Sequence, residues 1–234
     1  MLKIAFFVEG QTERIFLESL LNNFFTHPYF NVESYQLVED KATLITKANY
    51  DHSEVTLYFL IFDVTGDGNV NGAIYERAES LFTKNGYSHI FGLRDLFPHN
   101  KEEIPLIRSA FSETFGEFGY YKMLTQIIAI KEIESWFLAD YDHFARMNPL
   151  LTAEWINSEL NIDITRDSVE DYPHPSMVIN SIWQLVGRSY KKRATNSYSI
   201  CSYLDYTLYC CDEQLQSRIP SFMELLNGID AVTS

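Results

Sequence analysis

The chain has 234 residues, of which 46% are hydrophobic and 21% are charged, so it can fold around a core and is not intrinsically disordered. Its formal net charge of −14 excludes a protein that attracts nucleic acid over its whole surface, because affinity for phosphates comes largely from Lys and Arg. The apolar stretches are short and interrupted by charges, which excludes a membrane span and indicates a cytoplasmic protein.

The first part of the chain alternates apolar runs with helical patterns. Residues 3–8 and 55–62 are almost continuously apolar, which is typical of buried parallel strands. Weaker strand patterns cover residues 32–38, 88–94 and 125–131. Helical patterns follow the first strand and recur over about 73–85 and over 103–118.

Beyond about residue 142 the pattern becomes helical. The stretch HPSMVINSIWQLVG places Pro175 near a helix start and Gly187 after its end. Alternating strands and helices predict an α/β fold with a mostly parallel sheet, helices on both faces and a helical C-terminal extension. We expect residues 1–141 to form the α/β core and residues 142–234 to pack on it, so that the chain forms one compact unit.

An acidic residue follows each of four predicted strands. These residues are Glu9, Asp63, Asp95 and Glu132, and Asp67 and Glu134 come shortly after two of them. The carboxyl ends of parallel strands meet at one edge of a sheet, where open α/β folds bind their ligands. Crowded carboxylates repel one another and need a neutralising cation, and Mg²⁺ prefers oxygen ligands. The pattern therefore predicts a Mg²⁺ (or Mn²⁺) site.

Three stretches of the chain carry a family resemblance. They are VEGQTE at 8–13, LIFDVTGDG at 60–68 and IAIKEIESWFLAD at 128–140, with weaker matches at 172–176 and 189–193. With these motifs the chain resembles the Toprim-type metal-dependent domains. More narrowly, it is similar to an uncharacterised bacterial family of Toprim-like domains (DUF4276), related to the Toprim domains of OLD-type nucleases.

The resemblance implies a Mg²⁺-dependent nuclease, a hydrolase, or a related phosphoryl-transfer enzyme, acting on DNA or RNA in bacterial defence or DNA repair. Thr65 stands where the family has the second Asp of an Asp-x-Asp motif, and Asp67 is the next acid. The implied metal ligands are Glu9, Asp63, Asp67 and Glu132. The implied catalytic residues are Glu9, Glu13 and Glu134, with Glu9 acting either as acid/base or as ligand.

The densest basic run of the chain is a predicted phosphate-binding patch. It consists of Arg188, Lys191, Lys192 and Arg193. Such a run can contact the nucleic-acid backbone beside a metal site, or it can be a solvated turn after a helix. An acidic protein would then bind nucleic acid through the metal and this local patch.

The sequence is also compatible with two other hypotheses about function. The domain can be a non-catalytic partner subunit of an ATPase in a bacterial system, which the acidic charge and Thr65 favour. Alternatively Asp63 can be a phosphorylated nucleophile at a strand end. The hypothesis of a phosphorylated Asp63 gives the EGQTE and KEIES motifs no role.

Overall fold

The computed structural model describes residues 1–25, 29–38, 41–47, 54–65, 70–165 and 168–234. A six-stranded sheet has the strand order β3-β2-β4-β1-β5-β6. Its strands are β1 (Leu2–Val8), β2 (Phe30–Val38), β3 (Lys41–Thr46), β4 (Leu57–Asp63), β5 (His89–Asp95) and β6 (Leu124–Ala129). The predicted α/β fold with a mostly parallel sheet is confirmed.

Helices follow most of the strands and make up the C-terminal region. Those connecting the strands are α1 (Gln11–Phe24), α2 (Val70–Thr83) and α3 (Ile104–Phe115). The C-terminal series is α4 (Glu134–Ala139), α5 (Asp142–Met147), α6 (Ala153–Leu160), α7 (Pro175–Gln184), α8 (Ala194–Cys201), α9 (Tyr206–Cys211), α10 (Glu213–Ser217) and α11 (Pro220–Thr233). The predicted helical extension is therefore present.

Strand β1 lies in the middle of the sheet and fixes its register. It pairs in parallel with β4 on one side and with β5 on the other. Val8 is the register partner of Asp63, and the next residue after β4 donates a hydrogen bond from its backbone N–H to the Val8 carbonyl at 2.9 Å. Glu9 thus leaves the sheet beside the residue that follows Asp63.

Strand β3 was not predicted from the sequence. It pairs antiparallel with β2 at the edge of the sheet, and most of its side chains are exposed. An exposed edge strand has no buried face, so neither alternation nor a continuous apolar run marks it in the sequence.

The predicted strand over 125–131 ends two residues early, at Ala129. Lys131 has a φ of 62°, a left-handed conformation that cannot continue a β-strand. Glu132 therefore follows a turn and does not come directly from the strand.

Both faces of the sheet are covered by apolar packing. On one face Ala5 and Phe7 belong to a cluster with buried residues of α2 and α3. On the other face the Phe6 ring stacks on Phe91 at 5.0 Å, and Gly228 of α11 lies close to the Phe91 ring. This packing confirms the prediction of helices on both faces.

The chain divides into two compact units. The first unit comprises Met1–Arg94, Lys101–Ile128 and Asn227–Ser234, and the second comprises Asp95–Asn100 and Ala129–Leu226. The core of the second unit is built on Trp136, which is fully buried, packs against Phe222 at 5.4 Å and accepts a hydrogen bond at its carbonyl from the Tyr209 hydroxyl. None of the described helices has the length and hydrophobicity needed to cross a bilayer.

Candidate functional site

Three carboxylates of the second unit surround one ammonium group. The Nζ atom of Lys192 lies 3.1 Å from Oδ2 of Asp95, 3.2 Å from Oε1 of Glu132 and 3.1 Å from Oε2 of Glu134. The three acidic side chains are at most 10% exposed, whereas that of Lys192 is 38% exposed. We call these four residues the lysine–carboxylate cluster. It is an acidic site that reaches solvent through its lysine.

Separate elements bring the four residues together. Asp95 is the last residue of β5, and Glu134 is the first residue of α4. Glu132 lies in the turn between β6 and α4, just after Lys131 with its left-handed backbone. Lys192 comes from the segment between α7 and α8. The cluster thus depends on contacts across nearly 100 residues of sequence, as the Lys192–Asp95 hydrogen bond shows with its separation of 97 residues.

The second oxygen of each carboxylate is held by a hydrogen bond from the protein. Oδ1 of Asp95 accepts from the backbone N–H of Ile133 at 2.9 Å. Oε2 of Glu132 accepts from the backbone N–H of Ser176 at 3.0 Å, near the start of α7. Oε1 of Glu134 accepts from the Tyr190 hydroxyl at 2.9 Å. Each carboxylate is therefore fixed on one side and turned toward the lysine on the other.

The electrostatics of the three acids differ. Burial raises the pKa of Glu134 to about 7, with the charges of Asp95 and Glu132 adding to the effect and Lys192 opposing it. Burial also raises the pKa of Asp95, although Lys192 lowers it in part. For Glu132, burial is outweighed by Lys192 and by the Ser176 N–H, so its pKa is lowered. The site thus combines a stable carboxylate with one that exchanges protons near neutral pH.

Tyr190 anchors the segment that carries Lys192. Its backbone N–H donates to Oδ1 of Asn180 at 3.0 Å, and its ring packs against Trp183 at 5.4 Å. The hydroxyl reaches Glu134, and the residue as a whole is buried. Lys192 follows two residues later, so the same anchor sets where its side chain starts.

The acids of the first unit form a separate arrangement around Arg14. The guanidinium of Arg14, in the first turn of α1, lies 2.7 Å from Glu18 and 3.7 Å from Asp63. Oδ1 of Asp63 accepts hydrogen bonds from the backbone N–H and the hydroxyl of Thr65, at 3.0 and 3.2 Å. Burial raises the pKa of Asp63, and Thr65 and Arg14 oppose the shift. Thr65, at the position of the expected second Asp, is therefore a hydrogen-bond donor to the first.

The two acids of the EGQTE motif stand at the start of α1. Glu9 is half-buried, whereas Glu13 is buried. A Cβ atom at Gly10 would lie 3.4 Å from Oε2 of Glu13, so the Glu13 carboxylate folds back over the residue that precedes the helix. An acid in this position also suits the positive end of the helix dipole.

The predicted basic patch is divided between different environments. Lys192 belongs to the lysine–carboxylate cluster, and the Arg188 guanidinium lies over the Trp183 ring at 5.1 Å. Arg188, Lys191 and Arg193 are exposed. All three have the exposure expected of phosphate contacts, although Arg188 also packs on Trp183.

A divalent ion suits the donor chemistry of the lysine–carboxylate cluster. As the side chains stand, the described residues contain no group of three or more His, Cys, Asp or Glu with the spacing of a metal site. Asp67, one of the four predicted ligands, lies outside the described residues. The cluster nevertheless offers only oxygen donors, and Oε2 of Glu134 accepts no hydrogen bond from the described residues besides its ion pair with Lys192. In the structure the position among these oxygens is taken by the Lys192 ammonium.

Two residues that organise these sites, Arg14 and Tyr190, were not predicted from the sequence. A basic residue one position after an EGQTE motif is the available signal for Arg14. For Tyr190 the sequence holds no comparable signal, because its partners are 7 to 56 residues away.

Comparison of the chain with family models, with curated proteins and with solved structures gave no significant match.

Proposed function

We propose that the chain is a Mg²⁺-dependent cytoplasmic enzyme that hydrolyses phosphodiester bonds in nucleic acid, or a related phosphoryl-transfer enzyme, and that the lysine–carboxylate cluster is its working site. The observation that carries the proposal is the convergence of three buried carboxylates on one partly exposed ammonium. Buried acids that repel one another are costly to maintain for structure alone, and they suit a site that binds cations.

The roles follow from the environments of the residues. Asp95 and Glu132 would hold a Mg²⁺ ion, which would supply charge neutralisation and a more acidic bound water. Glu134, with a pKa of about 7, takes or gives a proton at its Oε2 atom at neutral pH. Lys192, on a partly exposed flexible stem, pairs with a phosphate oxygen when its carboxylates are occupied.

The family resemblance also implies a role for the acids of the first unit. Glu9, Glu13 and Asp63 carry the motifs that resemble Toprim nucleases. Arg14 already compensates Asp63, so we expect its carboxylate to contribute less to cation binding than those of the second unit.

A cleavage assay tests the proposal and separates the two groups of acids. Purified protein is incubated with single-stranded DNA, duplex DNA and RNA in Mg²⁺, in Mn²⁺ and in EDTA. We expect cleavage that needs a divalent ion and falls at least about 100-fold in Glu134→Gln. Glu9→Gln and Asp63→Asn show whether the first unit contributes. Cleavage that persists in EDTA, or that all three variants retain, rejects the proposal.

A second candidate function is that of a non-catalytic partner subunit, for example of an ATPase. The observation that favours it is that both acidic groups already have an internal cation, Arg14 in the first unit and Lys192 in the second. Titration calorimetry with Mg²⁺ distinguishes the candidates. Heat of binding that Glu132→Gln abolishes supports the enzyme, whereas no binding together with a stable ATPase complex supports the subunit.

A further inference from the structure

An exposed aromatic ring lies beside the lysine–carboxylate cluster. Phe97 is 46% exposed and follows Asp95 by two residues, so their Cα atoms are at most about 7 Å apart. Exposed single apolar residues are common and need no explanation by themselves. This one lies next to the proposed site.

Backbone hydrogen bonds hold Phe97 in place. Its N–H donates to the Lys131 carbonyl at 2.9 Å, and the preceding Leu96 donates to the Ala129 carbonyl at 2.8 Å. The Leu96 side chain is fully buried. The ring of Phe97 therefore projects from a fixed stretch of chain and not from a free loop, which makes it suitable for rigid stacking.

A second ring stands next to Phe97. The imidazole of His174 packs against the phenyl ring at 5.7 Å between centroids and at 66° between planes. His174 is exposed and precedes Ser176, whose N–H holds Glu132, by two residues. The edge-to-face contact supports the Phe97 ring on one side and leaves nearly half of that residue open to solvent.

One basic residue contacts the Phe97 backbone, and two more flank Lys192 in the sequence. Lys131 accepts the hydrogen bond of Phe97 at its carbonyl, and its ammonium donates to Asn100 at 3.2 Å. Lys191 and Arg193 flank Lys192 in sequence and are exposed. In a chain with a net charge of −14, these cations are the groups of this region that can contact phosphates.

We propose that Phe97, supported by His174, is a stacking platform for one unpaired nucleobase, and that the substrate is single-stranded nucleic acid. An aromatic ring beside phosphate-binding cations is the combination that single-strand binders use, and stacking accepts any base because each has a π-face. A base within a duplex has both faces covered by its neighbours and cannot reach the platform. This inference rests on the proposed function for the identity of the ligand.

Binding measured separately from cleavage tests the platform. Fluorescence anisotropy compares a labelled single-stranded oligonucleotide with a blunt-ended duplex of two strands, with Ca²⁺ in place of Mg²⁺, and a gel confirms that the probe stays intact. The variants are Phe97→Ala, Phe97→Trp and, as the control, Tyr198→Ala, which removes another exposed aromatic ring of the second unit (49% exposed). Thermal unfolding verifies that each variant is folded.

We expect the wild type to bind the single strand more tightly than the duplex. Phe97→Ala should weaken single-strand binding about 5- to 100-fold, whereas Phe97→Trp and Tyr198→Ala leave it nearly unchanged. A fluorescent aminopurine base in the probe should be quenched by the wild type and not by Phe97→Ala. Equal affinities of Phe97→Ala and Tyr198→Ala, tighter duplex binding or no binding overturn the inference.

The outcomes keep the inference apart from the proposed function. Loss of binding in Phe97→Ala without any cleavage by the wild type rejects the enzyme and retains the platform. Metal-dependent cleavage that Phe97→Ala leaves unchanged in rate and KM retains the enzyme and rejects the platform.

Discussion

The ammonium of Lys192 lies 3.1 Å from Oε2 of Glu134, a side chain with no exposed surface. Lys192 is thus the internal counter-ion of a buried acid, and it also forms ion pairs with Asp95 and Glu132. This ion pair therefore affects both the stability of the second unit and its proposed chemistry.

Replacing Lys192 with Met should destabilise the protein by about 2 kcal/mol at neutral pH. The change leaves three carboxylates without their cation, although the partial exposure of the lysine moderates the cost. The cost should shrink toward acidic pH, because loss of the cation raises the folded-state pKa values of the acids and protonation then favours the folded state. Urea unfolding at several pH values measures the effect. The adjacent exposed Lys191→Met is the control, and an equal loss in that variant contradicts the assignment.

Replacing Arg14 with Met should cost about 3 kcal/mol. Arg14 is buried between Glu18 and Asp63, and removal of one partner of a buried ion pair leaves uncompensated charge. Arg77→Met is a suitable comparison, because Arg77 pairs with the exposed Glu76 and should contribute at most about 0.5 kcal/mol. Denaturant unfolding measures the loss in free energy of unfolding for both variants. Similar losses would show that the buried Arg14 ion pairs stabilise the protein no more than the Arg77 pair does.

His143 should make the folded state sensitive to acid. Burial lowers its pKa to about 3, so between pH 6.5 and 3 the unfolded chain binds a proton that the folded chain does not. Stability from this residue is therefore fully present above pH 6.5 and decreases as the pH falls. Between pH 6.5 and 3, the decrease in the free energy of unfolding should be smaller in His143→Gln than in the wild type, by on the order of a few kcal/mol. The exposed His174→Gln controls for replacing a histidine, and parallel slopes for wild type and His143→Gln contradict the prediction.

Gly92 should be required for the packing of α2 on β5. A Cβ atom at this position would lie 2.8 Å from Cδ1 of Ile74 and 3.1 Å from Cγ1 of Val70, both buried residues of α2. Gly92→Ala should therefore cost about 1–2 kcal/mol through overpacking. Gly119→Ala, where the added atom meets nothing within 4 Å, is the matched control in thermal unfolding. If Gly119→Ala loses as much stability as Gly92→Ala, the cause is the change in backbone conformational freedom on replacing glycine and not overpacking against α2.

Much of the fold could be predicted from the sequence because its central strands are apolar on both faces. The runs that became β1 and β4 are nearly continuous apolar stretches, and the acids Glu9 and Asp63 mark where they end. Strand β3 escaped prediction because its exposed side chains show no periodicity. The last predicted strand ends early because Lys131 has a left-handed backbone conformation, which a lysine in the sequence does not predict.

The site was predictable in part, by residue type and not by pairing. The sequence pointed to Asp95 and Glu132 as strand-end acids and to Glu134 as an acid shortly after one of them, and the cluster contains all three. Lys192 was expected to face phosphate, and its position among the carboxylates follows from tertiary packing of the segment anchored by Tyr190. A contact between residues 97 positions apart leaves no periodic trace in a single sequence.

The most direct test of the account is the rate of Mg²⁺-dependent cleavage of a single-stranded oligonucleotide by Glu132→Gln beside Glu154→Gln. Glu132 belongs to the lysine–carboxylate cluster, and Glu154 is an exposed acid in the first turn of α6. We predict that the wild type and Glu154→Gln cleave the oligonucleotide, that EDTA abolishes this cleavage, and that a folded Glu132→Gln cleaves at least about 100-fold more slowly. Equal rates for the two variants, or no cleavage by the wild type, would contradict this prediction.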